Sequence, residues 1–148
     1  MGGGRAGWYS YDRIDNGGEA SAEHILPKFQ QVKVGDIFPG KPGLRDGFVL
    51  LQLEPSRYLI LGWPAPDGRT IVTWAFVLQE LETGSTRLIV RVRAAAGYRP
   101  PFGLPQWTMK TLVPVGHWLM QRKQLLGIAR RAEAATGRMS SSTAGAVA

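Results

Sequence analysis

The sequence predicts an α+β fold in which a curved antiparallel sheet of about six strands packs against one long C-terminal helix. Three observations predict it. Apolar and polar residues alternate between Thr70 and Ala96, which is typical of strands with one buried face. The connections between the β-rich runs are short, which favours antiparallel pairing. A helical repeat of apolar residues occurs only in Val115–Ala135.

The clearest element is a hairpin between Thr70 and Ala96 with its turn at Glu82–Ser85. Its predicted buried face is made of Val72, Trp74, Phe76, Leu78, Leu88, Val90 and Val92. Four further runs are predicted as strands: Trp8–Ile14, Val32–Phe38, Gly47–Leu53 and Arg57–Trp63. Residues 21–30, between the first two of these runs, are predicted to form a polar loop or a short helix.

The C-terminal helix is predicted to begin near Pro114 and to have Val115–Ala135 as its body. Its apolar face contains Val115, Trp118, Leu119, Leu125, Leu126, Ala129 and Ala132. Residues 1–135 are therefore expected to form one partial domain. Residues 136–148 are small and polar, and we expect them to be a disordered tail.

Composition restricts the function classes. The 148 residues include no cysteine, which excludes disulfides and thiolate chemistry and favours a cytoplasmic location. No run approaches the length of a membrane-spanning helix, and no signal peptide is visible. The formal charge of +7 would suit an anionic partner. However, the cations occur in positions that are typical of solvated faces. Arg87, Arg91 and Arg93 lie on one predicted strand, and Lys123, Arg130 and Arg131 lie on the outer side of the predicted helix. Nucleic-acid binding is therefore not predicted.

Several strings resemble one known family. They are RAGWYSYD at residues 5–12, EHILP at 23–27 leading to VGD at 34–36, TWAFVL at 73–78, TRLIVR at 86–91 and MQRKQLLGI at 120–128. Their order over residues 3–134 resembles bacterial SRPBCC (START-like) proteins of the polyketide cyclase/dehydrase-like type. The resemblance implies a helix-grip fold, with a hydrophobic ligand cavity between the sheet and the C-terminal helix. Members of that family also have a first strand and two short helices before the first string. We therefore expect Met1 to be an internal methionine of a longer reading frame.

The resemblance leaves three functions open. The first is non-catalytic binding of a small apolar, aromatic or lipid-like molecule, with no cofactor. The second is a polyketide cyclase or dehydratase, and the third is an inactive truncated product. His24 and His117 have no metal-site spacing, so no metal is predicted.

Six residues are candidates for contact with a ligand. Tyr9 and Tyr11 would share one face of a strand, where their hydroxyls could hold a ligand or protonate a carbonyl, or could simply reach solvent. Trp74, Phe76 and Trp118 would wall an apolar site or fill the core. Arg122 lies within about 20° of the centre of the helix's apolar face, so we expect it to be buried. It would then pair with Asp12 or Asp36, extend to solvent, or bind an anionic ligand.

Overall fold

The computed structural model describes residues 5–9, 11–95, 98 and 105–145, without the side chains of residues 14, 106, 109 and 138–145. The chain divides into two compact units. The first unit takes its described residues from 1–31, 41–43 and 100–148, and the second takes them from 32–40 and 44–99.

The second unit is an antiparallel sheet of five strands in the order in which they occur along the chain. The strands are β1 (Ile37–Pro39), β2 (Gly47–Glu54), β3 (Tyr58–Pro64), β4 (Thr70–Glu80) and β5 (Thr86–Ala94). The hairpin predicted for residues 70–96 is confirmed as β4 and β5, and the hairpin predicted around Pro55 and Ser56 is confirmed as β2 and β3.

One face of this sheet is apolar, as the alternation predicted. Trp74 is paired with Leu61 on one side and with Val92 on the other, so all three side chains lie on the same face. Leu50, Leu61, Trp74 and Phe76 on this face are buried. Arg87, Arg91 and Arg93 are exposed on the opposite face of β5, as expected.

In its described residues, the first unit contains two α-helices, α1 (Asp12–Asp15) and α2 (Leu112–Gly145), and 3₁₀ turns at Pro27–Phe29 and Gln106–Met109. The turn at Pro27–Phe29 lies in the segment predicted as a loop or short helix. Helix α2 ends at Gly145 rather than at Ala135. It thus includes residues 136–145 of the predicted tail, and residues 146–148 lie outside the described part.

The prediction of a strand at Trp8–Ile14 is wrong. The carboxylate of Asp15 accepts the backbone N–H groups of Tyr9 and Tyr11, and the latter bond is 3.1 Å long. These local bonds replace the ladder bonds that a strand would make. The strand predicted at Val32–Phe38 is reduced to β1, because Gly35 has φ +95° and Asp36 accepts the N–H of Lys33 at 2.9 Å.

The predicted apolar face of α2 is exposed. Four of its large side chains are between 43% and 62% exposed, whereas Leu125 is half-buried. Together with Leu112, which is 59% exposed, we call these four the α2 stripe: Leu112, Val115, Trp118, Leu119 and Leu126. Gln124, on the opposite side of the helix, is fully buried. Arg122 lies on the same side of the helix as the stripe and is exposed, as in the alternative in which its side chain extends to solvent. Arg131, expected on the outer side, is half-buried and donates to the Ala22 carbonyl at 3.3 Å.

Candidate functional site

An aromatic cluster lies on the apolar face of the sheet. The ring centroids of Phe48 and Trp63 are 5.1 Å apart and those of Phe48 and Trp74 are 5.4 Å apart, both in edge-to-face geometry. Trp74 and Phe76 are also 5.4 Å apart. Such spacings are typical of favourable aromatic pairs. Trp74 and Phe76, two of the predicted ligand residues, therefore belong to a packed cluster in the second unit.

A cleft of about 380 Å³ opens beside this cluster, at one end of β2 and β3. Its apolar wall is formed by Ile37, Val49, Trp63 and the segment Pro64–Pro66, and Arg45, Asp46 and Gly47 complete the lining. Its volume lies within the range of roughly 300–1,000 Å³ that is usual for small-molecule sites. Trp63 both walls the cleft and contacts Phe48 of the cluster.

Two local turns shape the cleft. After β3, the Ala65 N–H donates to the Arg69 carbonyl at 2.7 Å and the Gly68 N–H donates to the Ala65 carbonyl at 2.9 Å. This turn holds Pro64 and Pro66 at the rim. Between β1 and β2, the Gly40 N–H donates to the Asp46 carbonyl at 3.0 Å, which fixes the segment that carries Arg45 and Asp46. The cleft therefore combines a fixed apolar wall with one cation and one carboxylate.

No family model, curated protein or solved structure matches this chain. The resemblance to the SRPBCC family, and the placement of α2 against the sheet that a helix grip requires, stay predictions.

The first unit contains a second polar arrangement, the pair of Tyr9 and His117. Tyr9 Oη and His117 Nδ1 lie 3.1 Å apart in a hydrogen bond, and the two rings meet nearly perpendicularly. Partial burial lowers the pKa of His117, while a side-chain hydrogen bond with Gln121 acts in the opposite direction. The neutral imidazole is thus favoured. Protonation of a carbonyl by Tyr9, as in the cyclase or dehydratase alternative, stays a prediction.

The chain around Tyr9 is held against α2. The buried Gln124 side chain donates to the Trp8 carbonyl at 2.7 Å and accepts a hydrogen bond from Gln121. The ammonium group of Lys123 lies 3.9 Å from the centroid of the Tyr11 ring. These contacts fix the positions of Tyr9 and Tyr11.

The six predicted ligand residues do not gather in one place within either unit. Trp74 and Phe76 are buried in the sheet, Tyr9 and Tyr11 lie on the loop that leads into α1, and Trp118 and Arg122 are exposed on α2. None of the six lines the cleft. Arg45 and the Pro64–Pro66 segment, which do line the cleft, were not predicted from the sequence. The closely spaced prolines after a predicted strand were the available signal, since they indicate a rigid turn.

The described residues offer no candidate for a metal site or a membrane span. Among them no three His, Asp or Glu side chains gather where they could hold a metal ion. Within the same part of the chain, no helix has both the length and the apolar character required to cross a bilayer.

His117 should make stability depend on pH. Because its pKa in the folded state is below the ordinary value of 6.5, the unfolded chain binds the proton more tightly. The His117 contribution is therefore complete above about pH 6.5 and is lost as the pH falls from there towards the folded-state pKa. Urea unfolding on both sides of this range should show lower stability on the acid side.

The two histidines provide a matched comparison. His24 is exposed, so His24→Gln should keep the pH dependence, whereas His117→Gln should weaken it. An unchanged pH dependence in His117→Gln would contradict the assignment.

Proposed function

We propose that this chain is a non-catalytic binding protein for a small apolar or aromatic molecule, built on a helix-grip fold of the START-like type. The cleft walled by Trp63 carries the proposal. The order of the elements, an antiparallel sheet followed by one long C-terminal helix, is consistent with the helix-grip architecture.

The chemistry of the cleft favours a flat apolar ligand that has one polar group. The indole of Trp63 offers an aromatic surface, and Ile37, Val49 and the prolines add apolar area beside it. Arg45 and Asp46 are exposed at the cleft, so they could bind a carboxylate, hydroxyl or amine that stays partly hydrated. Their contribution would be to orient the ligand, while the apolar wall supplies most of the affinity.

A fluorescent probe tests this proposal. Phenylnaphthylamine is apolar and uncharged, so the positive charge of the protein does not attract it. We expect saturable binding that Trp63→Leu weakens about tenfold, because an aromatic contact and apolar area are lost. Trp107→Leu should change the affinity by less than about twofold, since Trp107 is 62% exposed and does not line the cleft.

A second variant separates binding from folding. Val49→Thr keeps the side-chain shape and places a hydroxyl in the apolar wall, so we expect weaker binding with cooperative unfolding retained. The proposal would be abandoned if Trp63→Leu and Val49→Thr both bound the probe as the unaltered protein does. Equal losses in Trp63→Leu and Trp107→Leu would also contradict it.

A further inference from the structure

The cleft in the second unit presents two opposite charges side by side. Arg45 and Asp46 are consecutive residues, both line the cleft, and neither side chain makes an ion pair within the second unit. The turn beside the cleft behaves differently, since Arg69 Nε lies 2.8 Å from Asp67 Oδ2 and neutralises that carboxylate. The charges that remain available at the cleft are therefore one guanidinium and one carboxylate.

The backbone places these charges at one end of the aromatic wall. A Cβ atom at Gly40 would lie 3.7 Å both from the Asp46 carbonyl oxygen and from Cη2 of Trp63, so Gly40 lies beside both residues. A Cβ atom at Gly47 would lie 2.0 Å from the Phe38 carbonyl oxygen, so β2 approaches β1 too closely there for any side chain. The segment that carries Asp46 is thus held near the six-membered ring of Trp63.

A free α-amino acid matches this pair of charges. Its carboxylate and its ammonium group are attached to one carbon atom, so one polar end can meet the guanidinium of Arg45 and the carboxylate of Asp46 together. A ligand with a single charge would leave one of the two protein groups without a partner. Within a peptide, the terminal residues do not carry both charges on one carbon, which favours the free amino acid.

The size of the cleft restricts the side chain of this ligand. Its volume of about 380 Å³ is near the lower end of the range of roughly 300–1,000 Å³ that is usual for ligand sites, which suits a molecule of amino-acid size. The indole of Trp63 offers an aromatic surface, and two aromatic rings in contact attract each other beyond the apolar area that they bury. An aromatic side chain is therefore favoured over an aliphatic one.

We propose that the cleft binds a free aromatic α-amino acid, with its ring against Trp63, its carboxylate on Arg45 and its ammonium group on Asp46. This inference rests on the proposed function, because it names the ligand class of the same cleft. Ion pairs of exposed side chains contribute little each, so the ring supplies most of the affinity and the two charges supply the selectivity.

Equilibrium dialysis of radiolabelled L-tryptophan against the full chain tests the proposal. We expect saturable binding, with competition by related molecules. Tryptamine has no carboxylate and indolepropionate has no ammonium group, so each should bind about fivefold more weakly, the upper end for an exposed ion pair. L-Alanine keeps both charges but has no ring, and it should bind at least roughly tenfold more weakly because the apolar contact is lost.

Two charge variants should give a crossed pattern. Arg45→Gln should weaken binding of L-tryptophan and indolepropionate about fivefold without weakening that of tryptamine. Asp46→Asn should weaken binding of L-tryptophan and tryptamine without weakening that of indolepropionate. Arg57→Gln and Glu80→Gln are matched controls, since both residues are exposed and do not line the cleft. Each should change every affinity by less than about twofold.

Three outcomes would overturn the inference. The first is the absence of saturable L-tryptophan binding, and the second is equal affinity for L-tryptophan, tryptamine and indolepropionate. The third is a variant that weakens all three equally, because a general loss of structure would do the same. Phenylnaphthylamine separates this inference from the proposed function. If its binding depended on Trp63 but L-tryptophan did not displace it, the binding function would stand and only the amino-acid assignment would fail.

Discussion

Trp74→Ala should destabilise the sheet by about 3–5 kcal/mol, the usual loss when a large aromatic residue is removed from a core. Trp74 is only 2% exposed, and its ring contacts Phe48 and Phe76. Alanine would leave a cavity between these two rings and would remove the contact between β4 and the aromatic cluster. Because small domains are stable by only about 5–15 kcal/mol, a loss of this size is a large part of the total.

The measurement is equilibrium unfolding in urea, followed by far-ultraviolet circular dichroism. Trp107→Ala is the matched control, because it makes the same change at a residue that is 62% exposed, and it should cost less than about 1 kcal/mol. Similar losses in the two variants would show that Trp74 does not contribute more than an exposed tryptophan, and would contradict the role assigned to the cluster.

The sheet could be predicted because its pattern is strong and local. Val72, Trp74 and Phe76 alternate with less apolar residues, and the turn at Glu82–Ser85 fixes the pairing with β5. A shift of one residue in register would expose this whole face, so the pattern restricts the register. The observed pairing of Trp74 with Val92 meets this restriction, because it keeps both side chains on the apolar face.

The first unit was less predictable because polar side chains determine its structure. Residues 8–14 have the composition of a strand, yet the carboxylate of Asp15 binds the N–H groups of Tyr9 and Tyr11 and holds them in a loop. Hydrophobic periodicity contains no signal for such bonds.

Helix α2 also shows what hydrophobic periodicity cannot predict. Its period was recognised, but the side that is most deeply buried carries Gln124, and the apolar stripe is exposed. A periodic pattern identifies the faces of a helix, and the partner that packs against it decides which face is buried. The cleft was missed for a related reason, since it depends on turns that place Arg45 and Pro66 beside Trp63.

Gln124→Glu should destabilise the first unit by roughly 3 kcal/mol or more at neutral pH. Gln124 is fully buried and donates its amide to the Trp8 carbonyl at 2.7 Å. An ionised carboxylate has the same shape but cannot donate, so it would place a negative charge opposite the carbonyl oxygen in a site without solvent. The loop that carries Tyr9 should then separate from α2.

The pH dependence of this loss identifies its cause. Burial would raise the pKa of the introduced carboxyl, and the protonated form regains one O–H donor for the Trp8 carbonyl. The difference in urea midpoint between Gln124→Glu and the unaltered protein, measured at each pH, should therefore shrink as the pH falls.

Gln30→Glu is the matched control for this prediction. Gln30 also donates its amide to a backbone carbonyl, that of Leu26 at 3.0 Å, but it is exposed, so water can replace the bond. We expect it to cost less than about 0.5 kcal/mol at any pH. If Gln124→Glu were no more destabilising than Gln30→Glu, or if its cost did not fall on acidification, the bond between Gln124 and Trp8 would not be what holds the Tyr9 loop against α2.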